Sequence, residues 1–216
     1  MENNYFFIDG SSLLSDIRKY KIKERYLKDY KLDILTFCKY FMHDDELKQF
    51  HSSAYRRIVF YFVQNDQRVK ENLILPDFKK SRLVEDIQIK YCGKKIPIYR
   101  KAEEWLEKKS APNYVTDSLY KSEKAVDTQI CCDALVLLSL NKLDRLFLYT
   151  NDFDFIPLCQ SIKTMGANIN LIKLTEDRVN GDLVKECDAF YTFRENQINS
   201  IFGYKEKSTT ANNKRS

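Results

Sequence analysis

Acidic residues lie at the ends of two apolar runs of the chain and at the start of a segment with a helical pattern. Asp9 ends the run NYFFID, and Asp152 and Asp154 come directly after RLFLYTN. Asp127 lies at the start of VDTQICC, where apolar residues begin to recur at helical spacing. Taken singly, each acid is typical of a turn or a helix cap. Gathered in one place, carboxylates are the oxygen ligands that Mg²⁺ and Mn²⁺ prefer, and such ions suit phosphate chemistry.

The elements that must position these acids follow from the hydropathy pattern. Short apolar runs predict strands, and helical spacing of apolar residues predicts the helices between them. The predicted strands lie at 4–9, 56–63, 145–150, 167–174 and 189–193, and the predicted helices at 13–42, 126–140, 155–166 and 182–187. This alternation predicts an α/β domain with a mainly parallel central sheet.

A parallel sheet explains how acids that are far apart in sequence come together. Ligands bind beyond the carboxyl ends of parallel strands, and the helices that follow these strands begin at the same edge. Asp9, Asp152 and Asp154 end two such strands and Asp127 begins a helix, so all four are expected at one crevice. Because like charges in one crevice repel, a divalent cation is the natural compensation. Asp133 lies six residues further along its helix and points to a different side, so it is expected to support the metal ligands rather than to bind the metal.

The segment 64–120 interrupts the alternation and contains the densest basic region. Its stretch IQIKYCGKKIPIY predicts a hairpin around Cys92 and Gly93. We interpret this segment as an insertion in a domain that spans residues 1–203, and the polar, basic residues 204–216 as a disordered tail. Candidate contacts to nucleic acid in this region and at the next helix start are Lys94, Lys95, Arg100, Lys101 and Lys124. The earlier stretch IRKYKIKERYLKDYK is either a solvated helix face or a second surface for nucleic acid.

Composition narrows the class of protein. The chain has 36 Lys and Arg against 31 Asp and Glu, a net charge of +5 that is compatible with a polyanionic partner. Its six Cys form no CxxC pair and it has two His, which disfavours a disulfide framework, a zinc site and histidine chemistry. No apolar run has the length of a signal peptide core or a membrane helix, so a cytoplasmic protein without membrane contact is expected.

Four motifs occur in a fixed order along the chain. They are FIDGSSLL at 7–14, KAVDTQICCDAL at 124–135, LYTNDFDFIPLCQSIKTMGANINLI at 148–172 and LVKECDAFYTF at 183–193. They resemble the NYN domain family of the PIN-like nuclease superfamily, which includes the LabA-like proteins. The corresponding family patterns are an IDGxN-like strand end, a KGVD-type helix start, a [ST]GDxDFxPL turn and a closing strand. Order and spacing agree from about residue 5 to 193, apart from the segment 64–120.

The resemblance implies a three-layer α/β/α fold and the function of a metal-dependent endoribonuclease. Carried over by position, Asp9, Asp127, Asp152 and Asp154 would be the catalytic acids that hold Mg²⁺ or Mn²⁺. Asp133 matches a further acid of the helix motif, with a supporting role. By the same resemblance, the RNA products should carry a 5′-phosphate and a 3′-hydroxyl.

Three positions depart from the family pattern. Ser12 replaces an Asn and is expected to orient a carboxylate or a phosphate. Asn151 replaces the Gly before the paired acids, and Asn tolerates left-handed backbone better than other residues with side chains. Phe153 replaces a small residue, where it either crowds the phosphate path or offers a face for base stacking. These departures leave open an RNA-binding module with weak or no catalysis. A small-phosphate hydrolase, a regulatory or defence component activated by a partner, and a homodimer also stay open.

Overall fold

Strands and helices alternate along the computed structural model, which describes residues 2–43, 55–77, 86–95, 105, 108–109, 123–177 and 179–204. The strands are β1 (Asn3–Asp9), β2 (Leu32–Asp33), β3 (Tyr55–Phe62), β4 (Leu73–Ile74), β5 (Ile87–Tyr91), β6 (Lys94–Lys95), β7 (Glu123–Lys124), β8 (Arg145–Tyr149), β9 (Asn168–Lys173) and β10 (Ala189–Thr192). The helices are α1 (Gly10–Lys23), α2 (Ile34–His43), α3 (Gln67–Asn72), α4 (Val126–Ser139), α5 (Ile156–Thr164), α6 (Gly181–Glu186) and α7 (Glu195–Ile201), with 3₁₀ turns at Arg25–Leu27 and Phe153–Phe155.

Six of the strands form one central sheet in the order β10-β9-β8-β1-β3-β5, and every neighbouring pair is parallel. The chain first builds outward from β1 through β3 to β5. It then returns to the other side of β1 and builds outward through β8 to β10. Doubly wound folds bind their ligands where the direction of winding reverses, beyond the carboxyl ends of the strands. That point lies here between the ends of β1 and β8.

Helices cover both faces of this sheet. Phe6 and Ile8 of β1 point into a core shared with α1, α2 and α7, whereas Tyr5 and Phe7 point into a second core shared with α4, α5 and α6. Because successive strand residues face opposite sides, a strand buried on both faces is an almost continuous apolar run. The predicted three-layer α/β/α fold with a mainly parallel sheet is therefore confirmed.

Helix α1 begins immediately after β1 because the side chain of Asp9 caps it. Gly10 is the first helical residue and packs against the end of β3. A Cβ atom at Gly10 would lie 2.5 Å from the carbonyl oxygen of Tyr61 and 2.2 Å from the Phe62 ring, so any other residue requires α1 or its neighbours to shift. At the end of α5, Gly166 adopts a φ of +85°, the left-handed conformation that commonly ends a helix at a glycine.

Two predictions about these elements are wrong. The single helical pattern over 13–42 is divided by a 3₁₀ turn and by β2, because Leu32 pairs with Leu73 of β4. The hairpin around Cys92 and Gly93 is also absent from the described residues, because β5 pairs with β3 in the main sheet while β6 pairs with β7. The boundaries of the insertion remain predictions, and residues 205–216 of the tail lie outside the described residues.

Within the described ranges, no helix is long and apolar enough to cross a membrane.

Candidate functional site

The carboxylate of Asp9 lies at the end of β1, next to the end of β8. It is 2% exposed, and donors of the protein surround both of its oxygens. Oδ1 accepts from the backbone N–H groups of Ser11 and Ser12, at 2.9 and 3.4 Å. Oδ2 accepts from the Ser12 hydroxyl at 2.6 Å and from the Thr150 hydroxyl at 3.1 Å. Asp9 is thus held in one orientation, since four hydrogen bonds fix it.

Thr150 and Ser12 connect the two strand ends. The Thr150 hydroxyl donates to Asp9 and accepts from the backbone N–H of Asp152 at 3.2 Å. The Ser12 hydroxyl donates to Asp9 and accepts from the backbone N–H of Asn151 at 3.2 Å. Sequence reasoning did not select Thr150, although it occupies the [ST] position of the family turn pattern. Ser12, which replaces the family Asn, orients the Asp9 carboxylate.

The turn after β8 carries the paired acids. Asp152 caps the 3₁₀ turn, since its Oδ1 accepts from the backbone N–H of Asp154 at 2.9 Å. Asn151 accepts through its side-chain oxygen from the backbone N–H of Asn180 at 2.9 Å. In the described part of the chain, Asn151 is not one of the non-glycine residues with a positive φ. The turn therefore forms without the left-handed backbone that was expected there. Phe153 is 62% exposed beside the two acids.

Asp127 lies in the first turn of α4, where the helix dipole favours a negative charge. The residue that precedes this helix, Ala125, has a φ of 77° and a ψ of −4°, which is the left-handed region. Ala125 occupies the glycine position of the KGVD-type helix start. The chain thus forms this bend with an alanine, although glycine would fit it better. A left-handed conformation costs a non-glycine residue roughly 1 kcal/mol.

A groove of about 1060 Å³ runs from these acids along one face of α1. Ser11, Ser15, Arg18 and Ile22 line it at spacings of four, three and four residues, which place them on one face of α1, and Arg25 continues the lining in the 3₁₀ turn that follows. We call this cavity the α1 groove. Its acidic lining residues are Asp127, Asp152 and Glu71, and its basic lining residues are Arg18, Lys21, Arg25, Lys28 and Arg68.

The family model for the NYN domain matches residues 6–198. The chain belongs to the NYN domain family. This family is part of the PIN-like nuclease superfamily, and its members are usually hydrolytic nucleases. Membership therefore supports a nuclease-like, RNA-related function for the chain.

Solved structures add a distant neighbour of this NYN domain. A protein of unknown function from Vibrio parahaemolyticus is 12% identical, with a TM-score of 0.49, over 90% of this chain and 94% of the other. A comparison with curated proteins finds no significant match.

Nucleases of the PIN-like type typically use divalent metal ions, which need several donor atoms in one place. Among the described residues, no three acidic, His or Cys side chains are grouped closely enough to hold a metal ion. The predicted four acids are therefore not assembled into one such group. Asp127 and Asp152 line the groove together, Asp9 is enclosed behind them, and Asp154 is exposed on the 3₁₀ turn. Two groove carboxylates still fit Mg²⁺, which proteins commonly hold through one or two carboxylates plus substrate phosphates.

Asp133 has a structural environment that is separate from the groove. Its carboxylate accepts from the hydroxyl of Tyr61 at 2.8 Å, from Nε2 of Gln129 at 2.9 Å and from Nζ of Lys90 at 2.5 Å. These contacts connect α4 to β3 and β5. Burial is the main reason why the pKa of Tyr61 is raised, and the negative charge of Asp133 raises it further.

A buried ion pair fixes α1 to the ends of β8 and β9. Lys173 is 1% exposed, and its Nζ lies 2.5 Å from Oδ2 of Asp16 and 5.1 Å from the centre of the Tyr149 ring. The Tyr149 hydroxyl donates to Asp16 at 2.8 Å and accepts from the backbone N–H of Leu174 at 3.1 Å. Burial lowers the pKa of Lys173, although the charge of Asp16 opposes this effect. In the sequence, the sign of this buried pair is Lys173 itself, a charged residue inside the apolar run ANINLIKL.

The predicted nucleic-acid contacts in the middle of the chain lie on other elements. Lys94 is in β6 and pairs in register with Lys124 of β7, within a separate two-stranded sheet that also contains Lys95. Arg100 and Lys101 lie outside the described residues. Contacts of these five side chains to nucleic acid remain predictions.

Proposed function

We propose that this protein is a metal-dependent endoribonuclease that hydrolyses RNA at the acidic end of the α1 groove. The observation that carries the proposal is the groove itself. It joins two carboxylates at the switch point of a doubly wound sheet to a row of basic side chains. Acids alone would repel RNA, and basic residues alone would only bind it.

In this proposal, Asp127 and Asp152 are the groups that would hold Mg²⁺ or Mn²⁺. When bound, such an ion neutralises phosphate charge and lowers the pKa of a water molecule. Asp9 acts through its hydrogen bonds: it fixes Ser12 and Thr150, and these fix the backbone that carries Asp152. Asp154 orients Asp152 by donating its backbone N–H.

Cleavage of a circular RNA tests the proposal, since only an endonuclease can open it. The purified protein is incubated with the RNA in Mn²⁺, in Mg²⁺ and in EDTA, beside the double variant Asp127→Asn/Asp152→Asn. We expect opening of the circle in metal, none in EDTA and none with the variant, with 5′-phosphate and 3′-hydroxyl ends on the product. Equal cleavage by the variant would identify a contaminant and overturn the proposal.

The alternative is an RNA-binding NYN domain with little catalysis. Two features favour it: both oxygens of Asp9 are already engaged by the protein, and Phe153 is exposed between the paired acids. RNA binding that persists in EDTA, together with an intact circle in Mn²⁺ and in Mg²⁺, would select this function instead.

A further inference from the structure

We propose that the substrate is a single RNA strand that lies along α1 on one side of the acids, with its phosphates on the α1 groove and a base on Phe153. The position of the acids as the reacting end rests on the proposed function. The binding track itself is argued from the groove and can be tested without cleavage.

Four of the five basic residues of the groove follow one another along α1 and the turn after it, and the fifth, Arg68, lies on α3. Arg18, Lys21, Arg25 and Lys28 recur at spacings of three, four and three residues. At 1.5 Å per helical residue, the part of this lining on α1, from Ser11 to Ile22, measures about 16 Å. Arg18, Arg25 and Lys28 are exposed, so their cationic groups are available to a strand of phosphates.

Neighbouring side chains hold two basic residues of the groove in place. Nζ of Lys21 donates to the side-chain oxygen of Asn72 at 3.1 Å, which draws it towards α3. Arg68 donates through Nε to both carboxylate oxygens of Asp66, at 3.0 and 2.9 Å. Burial is the main reason why the pKa of Lys21 is lowered; the positive charge of Lys31 lowers it further, whereas the negative charge of Asp29 opposes this effect. The groove lining thus carries five basic against three acidic residues, and Arg68 is already paired with Asp66, so the four basic residues of α1 and the turn after it are the ones offered to an anionic ligand.

The track extends to one side of the acids. Asp152 is next to the start of α1, since Thr150 contacts Asp9, and the basic residues follow towards the end of the helix. A strand on this track therefore places a phosphate at the acids and its neighbouring phosphates on α1.

Exposed apolar side chains favour a single strand over a duplex. Phe153 is 62% exposed beside Asp152, and Ile22 is 67% exposed in the middle of the groove. A duplex keeps its base faces stacked inside and presents phosphates and 2′-hydroxyls, so it cannot cover these side chains. A single strand can stack a base on an aromatic ring while its phosphates contact the basic residues.

Binding is measured by fluorescence anisotropy with an unpaired 12-nucleotide RNA and with its duplex. All proteins carry Asp152→Asn and the buffer contains EDTA, so cleavage does not interfere. The groove variant is Arg18→Ala/Arg25→Ala. Its matched control, Lys19→Ala/Lys142→Ala, removes the same charge from exposed lysines that do not line the groove.

We expect the groove variant to bind the single strand about 25-fold more weakly at 0.1 M salt. Each phosphate contact contributes about 0.7 to the slope of log K against log salt for single strands, so two lost contacts reduce the slope by about 1.4. The control pair should leave both quantities almost unchanged. Phe153→Leu should weaken binding roughly 5- to 150-fold, since a lost stack is worth that much, whereas Phe153→Trp should restore it.

Equal losses from the two double variants would overturn the track, because binding would then follow net charge alone. Duplex binding as tight as single-strand binding, with no effect of Phe153→Leu, would also overturn it. The outcome is separate from that of the proposed function. Normal binding by the groove variant with metal-dependent cleavage by the wild type refutes only the track. Loss of binding in the groove variant with no cleavage by the wild type supports the track and refutes only the nuclease.

Discussion

Replacement of Gly10 by alanine tests how tightly the start of α1 is packed against the sheet. The added Cβ would meet the backbone carbonyl of Tyr61 at 2.5 Å and two ring atoms of Phe62 at 2.2 and 2.6 Å. Rotation of Phe62 can relieve the ring contacts, but the carbonyl belongs to β3 of the central sheet. Helix α1 must therefore move away from β3, which disturbs the hydrogen bonds that Asp9 forms at the start of this helix.

The magnitude follows from two opposing effects. Overpacking of this kind costs about 3 kcal/mol at the upper end of the usual range. The better helix propensity of alanine returns up to about 1 kcal/mol. We therefore expect the free energy of unfolding of Gly10→Ala to fall by about 2 kcal/mol, which corresponds to a Tm lower by about 4–8 °C for a chain of this size.

The chain offers a matched control at the first residue of another helix. Gly181 begins α6, and a Cβ built there has no atom within 4 Å. Gly181→Ala should leave stability unchanged or raise it by up to about 1 kcal/mol. Urea unfolding followed by circular dichroism measures both variants. The packing argument fails if Gly10→Ala unfolds at the same urea concentration as the wild type.

Three further predictions concern stability, each measured by urea unfolding. Thr150→Val removes the hydroxyl that bridges the two strand ends, so it should lower the free energy of unfolding by about 2 kcal/mol. Thr150→Ser keeps a hydroxyl and should retain most of this stability. Equal stability of the two variants would contradict the bridge. Ala125→Gly should raise the free energy of unfolding by roughly 1 kcal/mol, because the φ of 77° at this position suits glycine. The gain should exceed that of Asn141→Gly, where φ is 51° and asparagine already tolerates it. A less stable Ala125→Gly would contradict this prediction. Burial raises the folded-state pKa of Tyr61 above the ordinary 10.0, so its stabilising contribution is full below pH 10 and falls as the pH rises further. Tyr61→Phe should therefore make the loss of stability from pH 10 to 11 smaller by about 1 kcal/mol. The exposed Tyr91→Phe is the control, and an unchanged loss would refute the argument.

The sequence was sufficient for those parts of the fold that local pattern determines. Strands β1, β3, β8, β9 and β10 are apolar runs, and their alternation with helices fixed a parallel sheet. The pattern IQIKY alternates apolar and polar residues, which is as compatible with an edge strand as with a hairpin. Its pairing with β3 depends on residues far away in sequence, so local pattern could not decide it. The break in the predicted helix over 13–42 has a similar origin, since β2 pairs with β4 about 40 residues later.

The candidate site shows the same division. Strand ends and topology placed Asp9 and Asp152 at one edge, because those positions follow from the elements alone. The hydroxyl of Thr150 and the buried pair of Lys173 and Asp16 depend on side-chain contacts across elements, which no spacing encodes. The α1 groove belongs to this second kind. From sequence alone, IRKYKIKERYLKDYK could be a solvated helix face or a surface for nucleic acid. The structure shows that one face of this helix lines the same groove as Asp127 and Asp152.

The most direct test of the central claim is a single-turnover rate of RNA cleavage in Mn²⁺ for the wild type, Asp152→Asn and Asp144→Asn. Asp144 is an exposed acid at the amino end of β8, at the opposite end of this strand from Asp152, so it receives the same substitution away from the acidic end of the groove. The proposed function predicts that Asp152→Asn lowers the rate by at least about 100-fold, while Asp144→Asn cleaves like the wild type. Equal rates for the wild type and Asp152→Asn would contradict the assignment of the acidic end of the α1 groove as the site of RNA hydrolysis.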